Sequence, residues 1–133
     1  MWQSAVLGIT FMIRRILSPH ELGKLGEDYA VEHLFSKKYR ILQKGFRFYR
    51  GEIDIVAFDG DTLVFVEVKT RYFRDQVGPE EAVTPKKQQQ IRRIAHAYLS
   101  INNLDEQKCR FDVLALRYEE SQGFHVTHFK DAF

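Results

Sequence analysis

Gly51-Glu52-Ile53-Asp54-Ile55-Val56-Ala57-Phe58-Asp59-Gly60-Asp61-Thr62-Leu63-Val64-Phe65-Val66-Glu67-Val68-Lys69-Thr70-Arg71 is the stretch that decides the fold of this chain. Two apolar runs rich in β-branched residues flank Asp59-Gly60-Asp61-Thr62, the composition of a β-hairpin. Alternation along the second run puts Leu63, Phe65, Glu67 and Lys69 on one face, and Val64, Val66, Val68 and Thr70 on the other. In the first run Glu52, Asp54, Val56 and Phe58 share a face. If Phe58 faces Leu63 across the turn, Asp54 lies opposite Glu67, with Cβ atoms roughly 5 Å apart. If Asp59-Gly60 make a two-residue turn, the two acids are diagonal neighbours. In both registers two carboxylates meet inside apolar strands, where they repel unless positive charge stands between them. A divalent cation is the economical source of that charge, and Lys69 follows two residues after Glu67 on the same face.

A plainer account is available for part of this cluster. In the first register Lys69 opposes Glu52, and a cross-strand ion pair would absorb two of the four charges. Acids in an edge strand also guard against sheet-to-sheet aggregation. Neither account explains why Asp54 and Glu67 share a face, because charged groups are rarely buried without a partner.

Helices bracket these strands. Ser18-Pro19 predicts an N-cap followed by proline at the first helical position, and Leu22, Leu25, Tyr29, Ala30 and Leu34 make an apolar stripe at helical spacing. Glu27 falls at the edge of that stripe, close enough to look toward the sheet. Thr84-Pro85 opens a second helix in the same way, with Ile91, Ile94, Ala95, Tyr98 and Leu99 as its buried face. Its opposite side carries Lys86, Lys87, Arg92 and Arg93 with no acid between them. From Lys69 to Arg93 there are seven basic residues (69, 71, 74, 86, 87, 92, 93) against three acidic ones (75, 80, 81), a local charge of +4 against +2 for the whole chain. A basic stripe beside a metal site suits a polyphosphate backbone, which such contacts hold without reading sequence. Arg71, Arg74, Lys86, Lys87, Gln90, Arg92 and Arg93 are the candidate nucleic-acid contacts, with Lys86 or Gln90 reaching the site from the first turns of the helix. Aromatics interleaved with arginine in Arg71-Tyr72-Phe73-Arg74 suit base stacking, although Phe73 is expected to cap the core.

An acid on one strand followed by acid-x-lysine on the next resembles the PD-(D/E)xK, restriction-endonuclease-like nucleases. Within them the chain is similar to the YraN-like family over about residues 20 to 117. The likeness rests on Gly26-Glu27, Gly51-Glu52-Ile53-Asp54, Phe65-Val66-Glu67-Val68-Lys69-Thr70-Arg71 and Arg110-Phe111-Asp112-Val113. Two positions depart from the pattern: no proline precedes Asp54, and Gly45 stands where the family suggests asparagine. The resemblance implies an α/β fold, a restriction-endonuclease-like mixed β-sheet flanked by helices. It implies a nuclease that hydrolyses DNA phosphodiester bonds with Mg2+ or Mn2+, branched and repair substrates included. Asp54 and Glu67 would hold the metal, joined by the backbone carbonyl of Val68, because magnesium takes oxygen ligands and needs only one or two carboxylates. Lys69 would orient the attacking water or stabilise charge developing on the phosphate. By resemblance to resolvase-type nucleases, Glu27 would be a third acid, giving Glu27, Asp54, Glu67 and Lys69 as the catalytic set.

Length and composition bound the rest. With 133 residues, 44% hydrophobic and 29% charged, the chain suits one globular domain and leaves no room for a separate binding domain. The third strand, second helix and fourth strand are expected to form a crossover, making the sheet mixed. Asp112 at the start of that fourth strand reads as a structural acid or as one that supports a metal's ligands, not as a ligand itself. Residues 1–18 are expected to be a weakly ordered apolar segment before a single domain at 19–133. Ala5 to Ile13 is too short to span a bilayer and lacks the pattern of a signal peptide. The single cysteine, Cys109, forbids an internal disulfide, is expected to be a small buried hydrophobe, and accords with a cytoplasmic location. His125 and His128 fall on opposite sides of a strand, a poor arrangement for a metal. The expected partner is DNA, with no integral membrane association. A homodimer is also expected, formed through the N-terminal segment or the strand through His125 to Phe129. The competing expectation is a non-catalytic nucleic-acid-binding accessory module of the same fold, and a weaker one is a hydrolase of small phosphoesters.

Overall fold

Ser18 and Glu21 start the first helix together: the Ser18 hydroxyl accepts the Glu21 amide at 3.1 Å and the Glu21 carboxylate accepts the Ser18 amide at 3.1 Å. With Pro19 at the first helical position, this reciprocal cap satisfies donors that a helix N-terminus otherwise leaves free. The chain is described as a computed structural model covering residues 17–75 and 83–133. Of the expected N-terminal segment, residues 1–16 lie outside the described residues, as does Gly78-Pro79.

The elements run α1 (Pro19–Ser36), β1 (Arg40–Phe48), β2 (Gly51–Asp59), β3 (Thr62–Tyr72), α2 (Pro85–Ile101), β4 (Cys109–Glu119) and β5 (Gly123–Phe129). The five strands lie in the order β1-β2-β3-β4-β5. Among the described strands only β3 and β4 pair in parallel, as a crossover through α2 requires, so the sheet is mixed. This is the α/β architecture expected, a mixed sheet flanked by helices. Phe58 pairs with Leu63 and Asp59 with Thr62, leaving Gly60-Asp61 as a two-residue turn with Gly60 at φ +61°. That turn selects the first of the two registers.

The helices cover opposite faces, because neighbouring β3 residues point to different cores. Val64 and Val66 pack with Ala30 and Leu34 of α1, whereas Leu63 and Phe65 pack with Ile91, Ile94 and Tyr98 of α2. Fully buried Leu34 and Ile94 each contribute roughly 1.5–3 kcal/mol, which ties each helix to its face. On α1 the buried line is Leu22, Gly26, Ala30 and Leu34. Leu25 and Tyr29 do not join it. Leu25 is exposed, and the Tyr29 ring rests 5.0 Å from that of Phe124. The line is narrow because Gly26 lies directly on β3, where any Cβ would collide with the Thr70 side chain. Cys109 corrects another expectation: as the first residue of β4 it is exposed, and burial begins only at Phe111. Among the described residues no helix is long and apolar enough to cross a membrane.

Candidate metal centre

The β1–β2 ribbon turns over in its middle, and that twist builds the site. Lys44 pairs with Ile55 and both face α1: Lys44 Nζ lies 2.8 Å from Asp28, and Ile55 packs with Ala30 and Leu34. Phe46 pairs with Ile53, yet both face α2, with the Phe46 ring 5.0 Å from that of Tyr98 and Ile53 beside Ile91 and Ile94. Residues two apart in a regular strand share a face, so the alternation expected along β2 is broken around Asp54. The turning point on β1 is Gly45, at φ +66°. Glycine enters this left-handed region at no steric cost, so the turn falls where Gly45 stands.

The β2–β3 ladder stops at Ile55–Val66, one pair short of the expected Asp54–Glu67 step. The Asp54 carboxylate takes over there, accepting the Val68 amide at 2.7 Å. Ligand atoms of Glu27, Glu52 and Asp54 all lie within 4.8 Å of one another, a cluster able to hold a metal ion. Glu27 reaches it half-buried from α1, one residue past the close approach at Gly26. Glu67, only 6% exposed, stands near Asp54 with Lys69 Nζ 3.7 Å from its carboxylate. Lys69 therefore belongs to Glu67, and the expected Lys69–Glu52 pair does not form. Glu52 instead meets Arg47 at 3.2 Å, because the twist swings the start of β2 away from β3.

The charges are unevenly compensated. Burial, then Glu67 and Glu52, push the Asp54 carboxyl up to about 7 against the pull of the Val68 amide and Lys87. Burial raises Glu67 as well, opposed by Lys87 ahead of Lys69. Burial and then Asp54 and Glu52 raise Glu27. Carboxylate oxygens that lie this close together suit a hard divalent cation such as magnesium or manganese.

Lys87 has a contact that the sequence did not show, and Glu52 joins a cluster in which the sequence did not place it. Lys87, chosen as a backbone contact, is half-buried and acts on both Asp54 and Glu67. Glu52 was legible only as a neighbour of Asp54 in Gly-Glu-Ile-Asp. Lys86, Lys87, Gln90 and Arg93 share a groove of about 560 Å3 at the start of α2, and Gln90 lies against Gly51 of β2. Arg92 is elsewhere, its guanidinium 4.8 Å from the Phe111 ring centre and 5.5 Å from that of Phe133. Arg71 bonds the Thr70 carbonyl at 3.2 Å, and Arg74 lies over Tyr72 at 4.6 Å, both near the far end of β3. Phe73 does not cap the core: it is 52% exposed, its ring 5.5 Å from that of His125.

Asp112 proves structural. It is fully buried and accepts Arg110 at 2.9 Å and the Asp131 amide at 3.0 Å, with His128 at 2.8 Å. Arg110 also bonds Asp59 and the Tyr39 hydroxyl, each at 2.8 Å. Burial pushes Asp112 up, but His128, Arg110 and the Asp131 amide outweigh it and leave the carboxyl below its usual range.

Residues 26–116 match the model of "Uncharacterised protein family UPF0102". A UPF0102 protein of Prosthecochloris aestuarii is 49% identical over 122 residues, covering 88% of this chain and 96% of the relative. Relatives in Chlorobium limicola and Syntrophus aciditrophicus, also UPF0102 proteins, are each 46% identical, covering 86% and 92% of this chain and 93% and 95% of theirs. The matched region contains Glu27, Asp54, Glu67, Lys69 and the whole α2 groove, and the chain belongs to the UPF0102 family.

Proposed function

We propose that this protein is a metal-dependent nuclease that hydrolyses DNA phosphodiester bonds. The observation that carries the proposal is the meeting of Glu27, Glu52 and Asp54 within 4.8 Å of one another, with buried Glu67 acting on Asp54 from β3 and a basic groove at the start of α2. A bound Mg2+ or Mn2+ would polarise a phosphoryl oxygen and acidify a water. Asp54 and Glu67, with the Val68 carbonyl, would hold it, and Glu27 and Glu52 add oxygens beside Asp54. Lys69, tethered by Glu67, orients the attacking water or meets charge developing on the phosphate. Lys87 acts on the same acids from the first turn of α2, while Lys86, Gln90 and Arg93 hold the flanking backbone.

One such site addresses one scissile phosphate, so cutting both strands calls for a second copy. A symmetric homodimer on DNA is part of the proposal, with the edge strand β5 as its described candidate contact. Light scattering with and without a four-way junction tests it, and a strict monomer on the junction removes it. The reaction is tested by incubating the protein with labelled linear, flap and four-way DNA in manganese and in EDTA. Cleavage in manganese alone is the expected result. Binding without cleavage in either condition would favour an accessory module that uses the α2 groove, for which the acids have no purpose.

A further inference from the structure

The tip of the β1–β2 hairpin carries a residue in a place where a cheaper one was available. Phe48 pairs with Gly51, so Tyr49-Arg50 is a two-residue turn, and Tyr49 has φ +54°. Two-residue turns with positive φ at the first central position ordinarily take glycine there, or asparagine or aspartate, because a bulky L-residue is strained in that region. Tyr49 is also 88% exposed. A singly exposed aromatic is ordinary on a protein surface. An exposed aromatic held in a strained conformation is not, since neither burial nor backbone preference explains its presence.

The ring is nonetheless supported. Phe48 meets it edge-on, with centroids 4.6 Å apart and planes at 83°, while one face is left to solvent. The base of the hairpin is pinned to α2, because Gly51 is packed so tightly against Ile94 and Gln90 that a Cβ there would collide. Arginines flank the ring. Arg50 is exposed and has no ion pair among the described residues, and the Arg47 side chain is 82% exposed even while touching Glu52. The tip thus adjoins both the groove holding Gln90 and the acid cluster holding Glu52. At about 3.3 Å per residue, Tyr49 is at most about 17 Å along the strand from Asp54, roughly five base steps of a stacked strand.

We propose that Tyr49 is a stacking platform for an unpaired base, placed beside the acid cluster, so that the preferred ligand is DNA with a single-stranded segment next to the bond to be cut. The inference rests on the nucleic-acid part of the proposed function and adds the kind of strand it takes. A rigid aromatic face accepts any base, and flanking arginines attract the backbone on either side, the combination that binds single strands without reading sequence. A base inside an intact duplex offers no free face to such a platform, so stacking favours single strands, flaps and junctions over blunt duplex.

The test is fluorescence anisotropy in EDTA, where binding is read without cleavage, on a labelled single strand and a blunt duplex of the same length. Tyr49→Asn, which tolerates the positive φ, is expected to lose about tenfold in affinity for the single strand, with duplex affinity within about twofold. Tyr49→Trp is expected to retain single-strand binding. A 2-aminopurine in the strand is expected to be quenched by the wild type and not by Tyr49→Asn, and unchanged melting temperatures would exclude a folding effect. Equal losses on both DNAs, no loss on either, or no single-strand binding by the wild type would overturn the platform, the second outcome pointing to a protein partner at this tip. A wild type that binds single strands through Tyr49 but never cuts in manganese would overturn the nuclease and leave the platform standing. Undiminished cutting and binding by Tyr49→Asn would do the reverse.

Discussion

Asp54, half-buried, and Asp112, fully buried, are carboxylates on inner strands of one sheet, and their surroundings have opposite characters. Asp112 is met by Arg110, His128 and a backbone amide, and Arg110 is met in turn by Asp59 and Tyr39. Every charge in that network has a partner, so Asp112 ionises more easily than a free aspartate. Burial and two nearby acids work against an ionised Asp54 and outweigh the Val68 amide and Lys87, so it ionises with difficulty. A satisfied buried acid holds a fold together. An unsatisfied one is kept at a cost to stability, and such residues cluster where a ligand supplies what is missing. The difference teaches that burial alone does not distinguish a structural acid from a functional one; the balance of partners does.

The largest effect expected from breaking the comparison is at Asp112. Asp112→Ala leaves half-buried Arg110 without its main partner, and His128 and the Asp131 amide without theirs, and should destabilise the fold by about 3–5 kcal/mol in urea unfolding. Lys69→Ala should leave the fold and DNA affinity nearly intact while lowering single-turnover cleavage about 10²–10³-fold, the scale for removing a donor to developing charge. Removing the Asp54 charge should act in the opposite direction from Asp112. Asp54→Asn keeps an acceptor for the Val68 amide and removes the repulsion with Glu67, so the metal-free protein should gain on the order of 2 kcal/mol.

The pH response separates the two regions further. The Asp54 carboxyl is raised from 3.8 to about 7 in the fold, so its stabilising contribution is present below pH 3.8 and is lost as pH rises through about 7. The Asp112 carboxyl is lowered, so its contribution is present above pH 3.8 and is lost as pH falls below it. In EDTA the melting temperature should therefore fall between about pH 4 and pH 7, a fall that Asp54→Asn reduces and added manganese reverses. The smallest contrast lies on α2. Arg93→Gln should flatten the dependence of log affinity on log salt by roughly 0.9, and Arg92→Gln, whose side chain rests on Phe111 and Phe133, should leave it unchanged.

Much of the fold was legible because its signals are local. Ser18-Pro19 and Thr84-Pro85 mark helix starts, and Asp59-Gly60-Asp61-Thr62 marks the β2–β3 hairpin, although only the structure, with Gly60-Asp61 as the turn, chose between its two registers. Asp54, Glu67 and Lys69 were legible for the same reason, since charges in apolar strands stand out. What sequence did not show depends on contacts between distant segments. The reversal of the β1–β2 ribbon at Gly45 and Asp54 cannot be read from alternation, because it is where alternation fails. Leu25 fell outside the buried stripe because Gly26 brings α1 onto Thr70, 44 residues later, along a narrow line. The Asp112 network joins residues from β2, β4 and the chain's end, and Arg92 finds Phe133 only once the C-terminus folds back over α2.

Manganese titration calorimetry tests most directly whether the unsatisfied acids are a metal site. The wild type should bind manganese with heat that is lost in the Asp54→Asn, Glu67→Gln double variant and retained in Asp59→Asn, whose carboxylate belongs to the Arg110 network. Equal binding by the wild type and the double variant would contradict it.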